Sequence, residues 1–204
     1  MTTVQPPRNQ ILPVPIVSLP IKAVPYPRKA EPLTQEEYEL IKQQIPSYKY
    51  LLLVRLLRAT GLREAEVMRL CPEHLERRGP DLYLLVRRGK KRKLEYEAVA
   101  VHPEVATELL QWVQGNALRP GESLWPYKAK IFQRTFRRAA WAALGRRVTP
   151  HSLRKLYAKN LLDAGLPLAA VAKLLGHEDT RTTEQWYYDL TSDQRRLINA
   201  RTRP

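Results

Sequence analysis

From Thr34 onward the apolar residues recur at helical spacing, and that rhythm is broken only once. The break is "DLYLLVRR" followed by "KLEYEAVAV", two runs rich in β-branched and aromatic residues on either side of a glycine-containing basic turn. Such a pair reads as one hairpin. Helical periodicity resumes at about 104 to 114, 128 to 144, 150 to 164, 168 to 175 and 180 to 198, between Gly and Pro signals such as "RPGES" and "AGLP". The pattern predicts a mainly α chain with a small β-hairpin or antiparallel sheet, an α+β fold.

Ahead of that core, residues 1 to 32 hold 8 of the 17 prolines, spaced among Val and Ile. Proline removes the N–H that a helix needs, so this stretch is expected to be extended. Residues 1–33 are accordingly read as an arm and 34–204 as the folded domain. The domain opens on "TQEE", a capping box with Thr34 as N-cap and Glu37 reaching back. A helix to about Gln44 and another from about Ser47 to Ala59 follow. In "TGLREAEVMRL" a turn at Gly61 leads into a helix whose Leu62, Ala65, Val67 and Leu70 form an apolar side.

Charge narrows the partner. Thirty-five Lys and Arg against 20 Asp and Glu leave a formal net charge of +15, far more than solubility requires. A polyanion is the economical explanation. No run of about 18 apolar residues could span a bilayer, so no membrane role is expected. The start of the chain lacks a signal-peptide pattern, and the expected location is the cytoplasm. The one cysteine, Cys71, excludes an internal disulfide framework and a cysteine-based zinc cluster.

Four short stretches carry candidate chemistry. Arg63 follows the turn glycine, with Glu66 three residues on. In "RRGKKRK", residues 87 to 93, six of seven side chains are basic; like charges packed so closely repel unless an anion neutralises them, which suits a DNA backbone. "TPHSLRK" starts a helix, with Thr149 as N-cap and Pro150 in the first position. His151 then lies among free backbone donors, with Arg154 a turn on able to grip two phosphate oxygens. In "LLGHEDTRTTEQWYY", Gly176 ends a helix, His177 projects from the turn, and Tyr187 and Tyr188 follow.

In order and spacing, "TGLREAEVMRL", the lysine-bearing hairpin, "HSLR", "LLGH" and a following tyrosine resemble the tyrosine recombinase (phage integrase) family, over residues 34 to 198. The resemblance implies that family's catalytic-domain fold. It also implies a site-specific recombinase that breaks and rejoins DNA through a 3′-phosphotyrosyl link, with no cofactor, no metal and no ATP. By resemblance, Arg63 and Arg154 hold the scissile phosphate's oxygens and His151 accepts or orients the nucleophile's proton. His177 adds a hydrogen bond, and Glu66 supports Arg63. Lys90 protonates the leaving 5′ oxygen, with Lys91 and Lys93 as alternatives. Arg87, Arg88, Lys91, Arg92 and Lys93 contact DNA.

Many relatives place the tyrosine after a threonine pair and two intervening residues, a position that here is Trp186. The nucleophile is therefore Tyr187, or Tyr188 one step on, and the two point roughly 100° apart on a helix. The separate helical DNA-binding domain that many members carry ahead of the catalytic one has no counterpart, which suggests a minimal form or a fragment. Double-stranded DNA with a specific site is the implied partner. The protein is expected to be a monomer that becomes a homotetramer on DNA, its last stretch, "LTSDQRRLINARTRP", docking on a neighbour. The rival readings are a type IB topoisomerase and a non-catalytic DNA-binding protein of the same fold.

Overall fold

The computed structural model describes residues 33–88 and 95–176. The proline-rich arm up to residue 32, the hairpin tip and everything from His177 onward, including the helix expected at 180 to 198, lie outside the described residues.

Helix α1 (Gln35–Gln43) begins as its sequence dictates. The Glu37 N–H donates to Thr34 Oγ1 at 3.2 Å, and the Thr34 N–H donates to a Glu37 carboxylate oxygen at 3.1 Å. Leu33, counted with the arm in the sequence, is buried in the core. Helix α2 (Tyr48–Thr60) buries Leu52, Leu53, Val54, Leu56 and Leu57. With so few exposed positions it forms the centre of the domain, packed on α4 (Pro103–Gly115), α5 (Ala129–Leu144) and α6 (His151–Asp163). Helix α1 lies on α5, and α7 (Leu168–Leu174) lies on α6.

Three stretches differ from the sequence expectation. The helix after Gly61 is a single turn, α3 (Glu64–Val67), and Ala65 faces solvent. Pro72 starts a 3₁₀ turn (Pro72–His74) only a few residues later, so the chain has no length for a longer helix. Leu70 is still buried in the core, and its carbonyl accepts the Leu124 N–H at 2.9 Å. Next, the sheet has a third strand. Besides β2 (Asp81–Arg88) and β3 (Glu95–Ala100), "LERR" forms β1 (Leu75–Arg78), antiparallel to β2 with Leu75 opposite Leu84 and Arg78 opposite Asp81. Its side chains are largely exposed, so no alternating apolar pattern announces it. Strand β2 is central, and Leu82, Leu84 and Val86 turn alternately into the core. Finally, the cap position of α6 falls on Pro150 and not on Thr149, with no side-chain capping hydrogen bond, and the Ser152 N–H donates to the Thr149 carbonyl at 2.9 Å.

Gly61 fixes how α2 meets α6. It ends α2 with φ +63°, and a Cβ built there would sit 2.3 Å from Tyr157 Cδ1 on α6. The left-handed backbone alone disfavours any other residue by about 1–2 kcal/mol, and the ring contact adds to that. Gly61→Ala is therefore expected to lose at least about 2 kcal/mol in urea denaturation. Adding Tyr157→Ala should return part of the loss, since the two positions are in contact. A Gly61→Ala protein as stable as the parent would contradict the close approach.

Candidate active site

Arg63 sits where the chain leaves Gly61 and enters α3. Its extended backbone makes it the cap residue of α3, and its own N–H donates to Glu66 Oε2 at 2.7 Å. The guanidinium Nη1 donates to Glu66 Oε1 at 2.9 Å. The pair is unequal in burial, since the Glu66 side chain is 10% exposed and that of Arg63 is 48% exposed. As an ion pair it contributes little stability. What it does is aim the guanidinium, because one carboxylate fixes both the backbone and the head group of the same arginine.

The end of α3 is itself held from outside. Trp125, buried, donates its indole N–H to the Val67 carbonyl at 2.8 Å. A further link runs from α3 to α5: Gln133 Nε2 donates to both Glu64 oxygens at 3.1 Å, and burial raises the Glu64 pKa.

Arg154, on α6, is buried, with 4% of its surface exposed. Its Nη1 donates to the Gly61 carbonyl and its Nη2 to the Leu175 carbonyl, both at 2.6 Å. One guanidinium thus joins three stretches that are far apart in sequence: the turn before Arg63, its own helix, and the last turn before Gly176. The sequence reading gave this group to phosphate alone. In the fold, each terminal nitrogen also gives one N–H to a backbone carbonyl, and these neutral acceptors orient the charge without cancelling it.

His151 lies in the first turn of α6, on the exposed side. Its pKa is lowered from the usual 6.5, first by desolvation of the ring and then by the charges of Lys155, Arg154 and Arg63. That Arg63 acts on this imidazole places the two motifs in one neighbourhood. Gly176 ends α7 as expected, with φ +65° and its N–H donating to the Lys173 carbonyl at 2.8 Å. Arg87 is exposed on β2 opposite Tyr96, and Arg88 closes the strand opposite Glu95. Lys90, Lys91, Arg92, Lys93, His177, Tyr187 and Tyr188 lie outside the described residues.

Two contributors escaped the sequence reading. Lys155 was recognisable in principle, as it stands four residues after His151 on one helix face. The carbonyls of Gly61 and Leu175 leave no mark in a sequence.

A neutral imidazole among three cations has a consequence for pH. The unfolded chain takes up the His151 proton near 6.5 and the folded chain only at lower pH, so the unfolded state binds more protons between those values. His151 therefore takes stability away as pH falls from 6.5 toward its folded pKa. An NMR titration of the imidazole should show a midpoint below 6.5, and His151→Gln should flatten this part of the stability–pH curve. A midpoint at or above 6.5 in the free protein would contradict the cationic surroundings.

With the geometry in view, the relationships are plain. Residues 31–194 match the Phage integrase family, and the chain belongs to it. The tyrosine recombinase XerD of Shewanella oneidensis is 30% identical over 139 residues, covering 65% of this chain and 46% of its own length. XerA of Pyrococcus furiosus is 30% identical over 167 residues, covering 74% and 55%. The chain spans about half the length of the curated relatives it matches. Among solved structures, the XerA recombinase crystal structure has a TM-score of 0.66 at 20% identity, covering 88% of this chain and 68% of that one. The XerH site-specific recombinase in its pre-cleavage complex has a TM-score of 0.64 at 22% identity, covering 76% and 49%. The fold is that of tyrosine recombinase catalytic domains. Among the described residues, no helix is long and apolar enough to cross a membrane.

Proposed function

We propose that this protein is a site-specific DNA recombinase that cuts and rejoins strands through a 3′-phosphotyrosyl intermediate. The observation that carries the reading is Arg154. Its guanidinium draws together the turn that leads into Arg63, the helix that bears His151 and the end of α7 at Leu175. In this reading Arg63, His151 and Arg154 form the cationic enclosure a five-coordinate phosphorus needs. The solved relatives support DNA as substrate, since XerH is bound to difH and lambda integrase to a COC′ core site. The net charge of +15 fits the same partner.

In this reading Arg63 and Arg154 stabilise the charge on the non-bridging oxygens. His151, neutral near pH 7, takes or orients the phenolic proton while Tyr187 attacks phosphorus, with Tyr188 as the alternative nucleophile. The 5′ oxygen leaves with a proton from Lys90, or from Lys91 or Lys93. His177 adds a hydrogen bond to the phosphate. A 5′ hydroxyl from a partner strand then displaces the tyrosine, so the bond energy is conserved and strands are exchanged. Exchange of two duplexes calls for four protomers on DNA, and a monomer before binding. The arm expected over residues 1–33 ends ahead of Leu33, which packs in the core, and serves the catalytic domain that follows, in the cytoplasm where the DNA lies.

The test is to recover the DNA covalently trapped on the protein in cells and sequence it. One recurrent site, exchanged between two marked duplexes in vitro, is the expected result. Trapped fragments of unrelated sequence, together with relaxation of supercoils and no recombinant product, would instead indicate a topoisomerase.

A further inference from the structure

Beside Glu66, on the way from Arg63 to the basic hairpin, a cleft of about 150 Å³ opens between α3 and the sheet. That is well under the roughly 300–1,000 Å³ of sites that enclose an organic ligand, yet equal to several waters at about 30 Å³ each. It suits a small polar group.

The charged part of the lining is mainly cationic. Arg69 and Arg87 enter from opposite walls, both exposed, and among the described residues neither forms an ion pair. The carboxylate in the cleft, Glu66, is already engaged by Arg63. His74 accepts the Cys71 N–H on Nδ1 at 3.0 Å, so a neutral ring carries its proton on Nε2 and presents a donor. Its ring stacks on Tyr96 at 5.9 Å between centroids and 26° between planes, although Tyr96 is 59% exposed. Leu70, Leu85 and Val86 make up the apolar part of the lining, and two guanidiniums, an oriented imidazole and a phenol supply its donors beside a neutralised carboxylate. An anion with several oxygens satisfies it.

We propose that this cleft binds one non-scissile phosphodiester of the DNA, held jointly by Arg69 and Arg87 with help from His74 and Tyr96. It would set the register of the duplex against the Arg63–Glu66 pair. The proposal rests on DNA being the substrate, and the experiment separates the two.

Binding of a short fluorescein-labelled duplex of arbitrary sequence is followed by anisotropy over a range of salt concentrations, for the parent and for Arg69→Gln, Arg87→Gln and the double variant. Both substitutions are on the surface and should leave the fold intact. One phosphate lost should reduce the slope of log K against log salt by about 0.9. The double variant is expected to lose about that much, with each single variant losing no more. Arg78→Gln, at the far end of the sheet and paired with Glu76, should leave the slope unchanged. A double variant losing about twice 0.9 would mean two separate phosphates and would overturn the shared cleft. So would an unchanged slope. A parent protein that fails to bind any duplex would overturn the DNA reading as well.

Discussion

Replacing Arg154 with alanine is expected to cost this domain a large part of its stability as well as its chemistry. The guanidinium is buried, and it donates to the carbonyls of Gly61 and Leu175. Hydrogen bonds from a charged donor contribute about 1.5–3 kcal/mol each, and losing both leaves two carbonyls without that partner. The loss of roughly 3–6 kcal/mol compares with a total of about 5–15 kcal/mol for a typical protein. At about 2–4 °C per kcal/mol for a chain of this size, melting should fall by about 6–24 °C.

Arg154→Lys separates the two roles. Lysine keeps the charge but carries a single compact ammonium that cannot reach in two directions as a planar fork does. It should recover part of the stability. Any DNA cleavage should still fall by about 10²–10³, the usual effect of losing one oriented donor at a developing oxyanion. Calorimetry and denaturant titration read the first effect, and single-turnover cleavage reads the second. An Arg154→Ala protein that melts with the parent would show that the three segments are held together by something else.

That arginine also shows where legibility ends. His151 and Arg154 were visible as a pair at helical spacing, and the capping box at Thr34 and the terminal glycines at 61 and 176 were visible as punctuation. These are local signals, set by one turn of backbone, and the structure places them as read. Strand β1 was not visible, because "LERR" pairs as an exposed edge and buries no alternating face. The length of α3 was not visible either, since Pro72, Trp125 and Leu124 decide it, two of them from more than fifty positions away. The role of Arg154 as a staple depends on carbonyl groups that every residue has, so no pattern of side chains encodes it. Family resemblance proposed the site's members, and packing supplied the reason Arg154 lies against the turn that leads into Arg63.

The second large effect concerns the nucleophile. A tryptophan, Trp186, stands where relatives' spacing would put the tyrosine, and it has no oxygen with which to attack phosphorus. On the proposed reading the function falls to a phenol one or two residues later. Neighbours on a helix diverge by about 100°, so one of the pair should be essential and the other dispensable. Tyr187→Phe removes one oxygen and should abolish covalent chemistry outright, leaving DNA binding unchanged because no charge is altered. Tyr188→Phe should retain it.

The most direct measurement uses the recovered site as a nicked suicide duplex, from which the cut end diffuses away and cannot be rejoined. Protein and DNA are incubated, resolved under denaturing conditions, and the joined peptide is sequenced by mass spectrometry. If Arg63, Arg154 and His151 surround one phosphodiester as proposed, the protein should become linked to the 3′ phosphate through Tyr187, and Tyr187→Phe should give no adduct. No covalent product from the parent protein on a duplex that it demonstrably binds would contradict the enzyme.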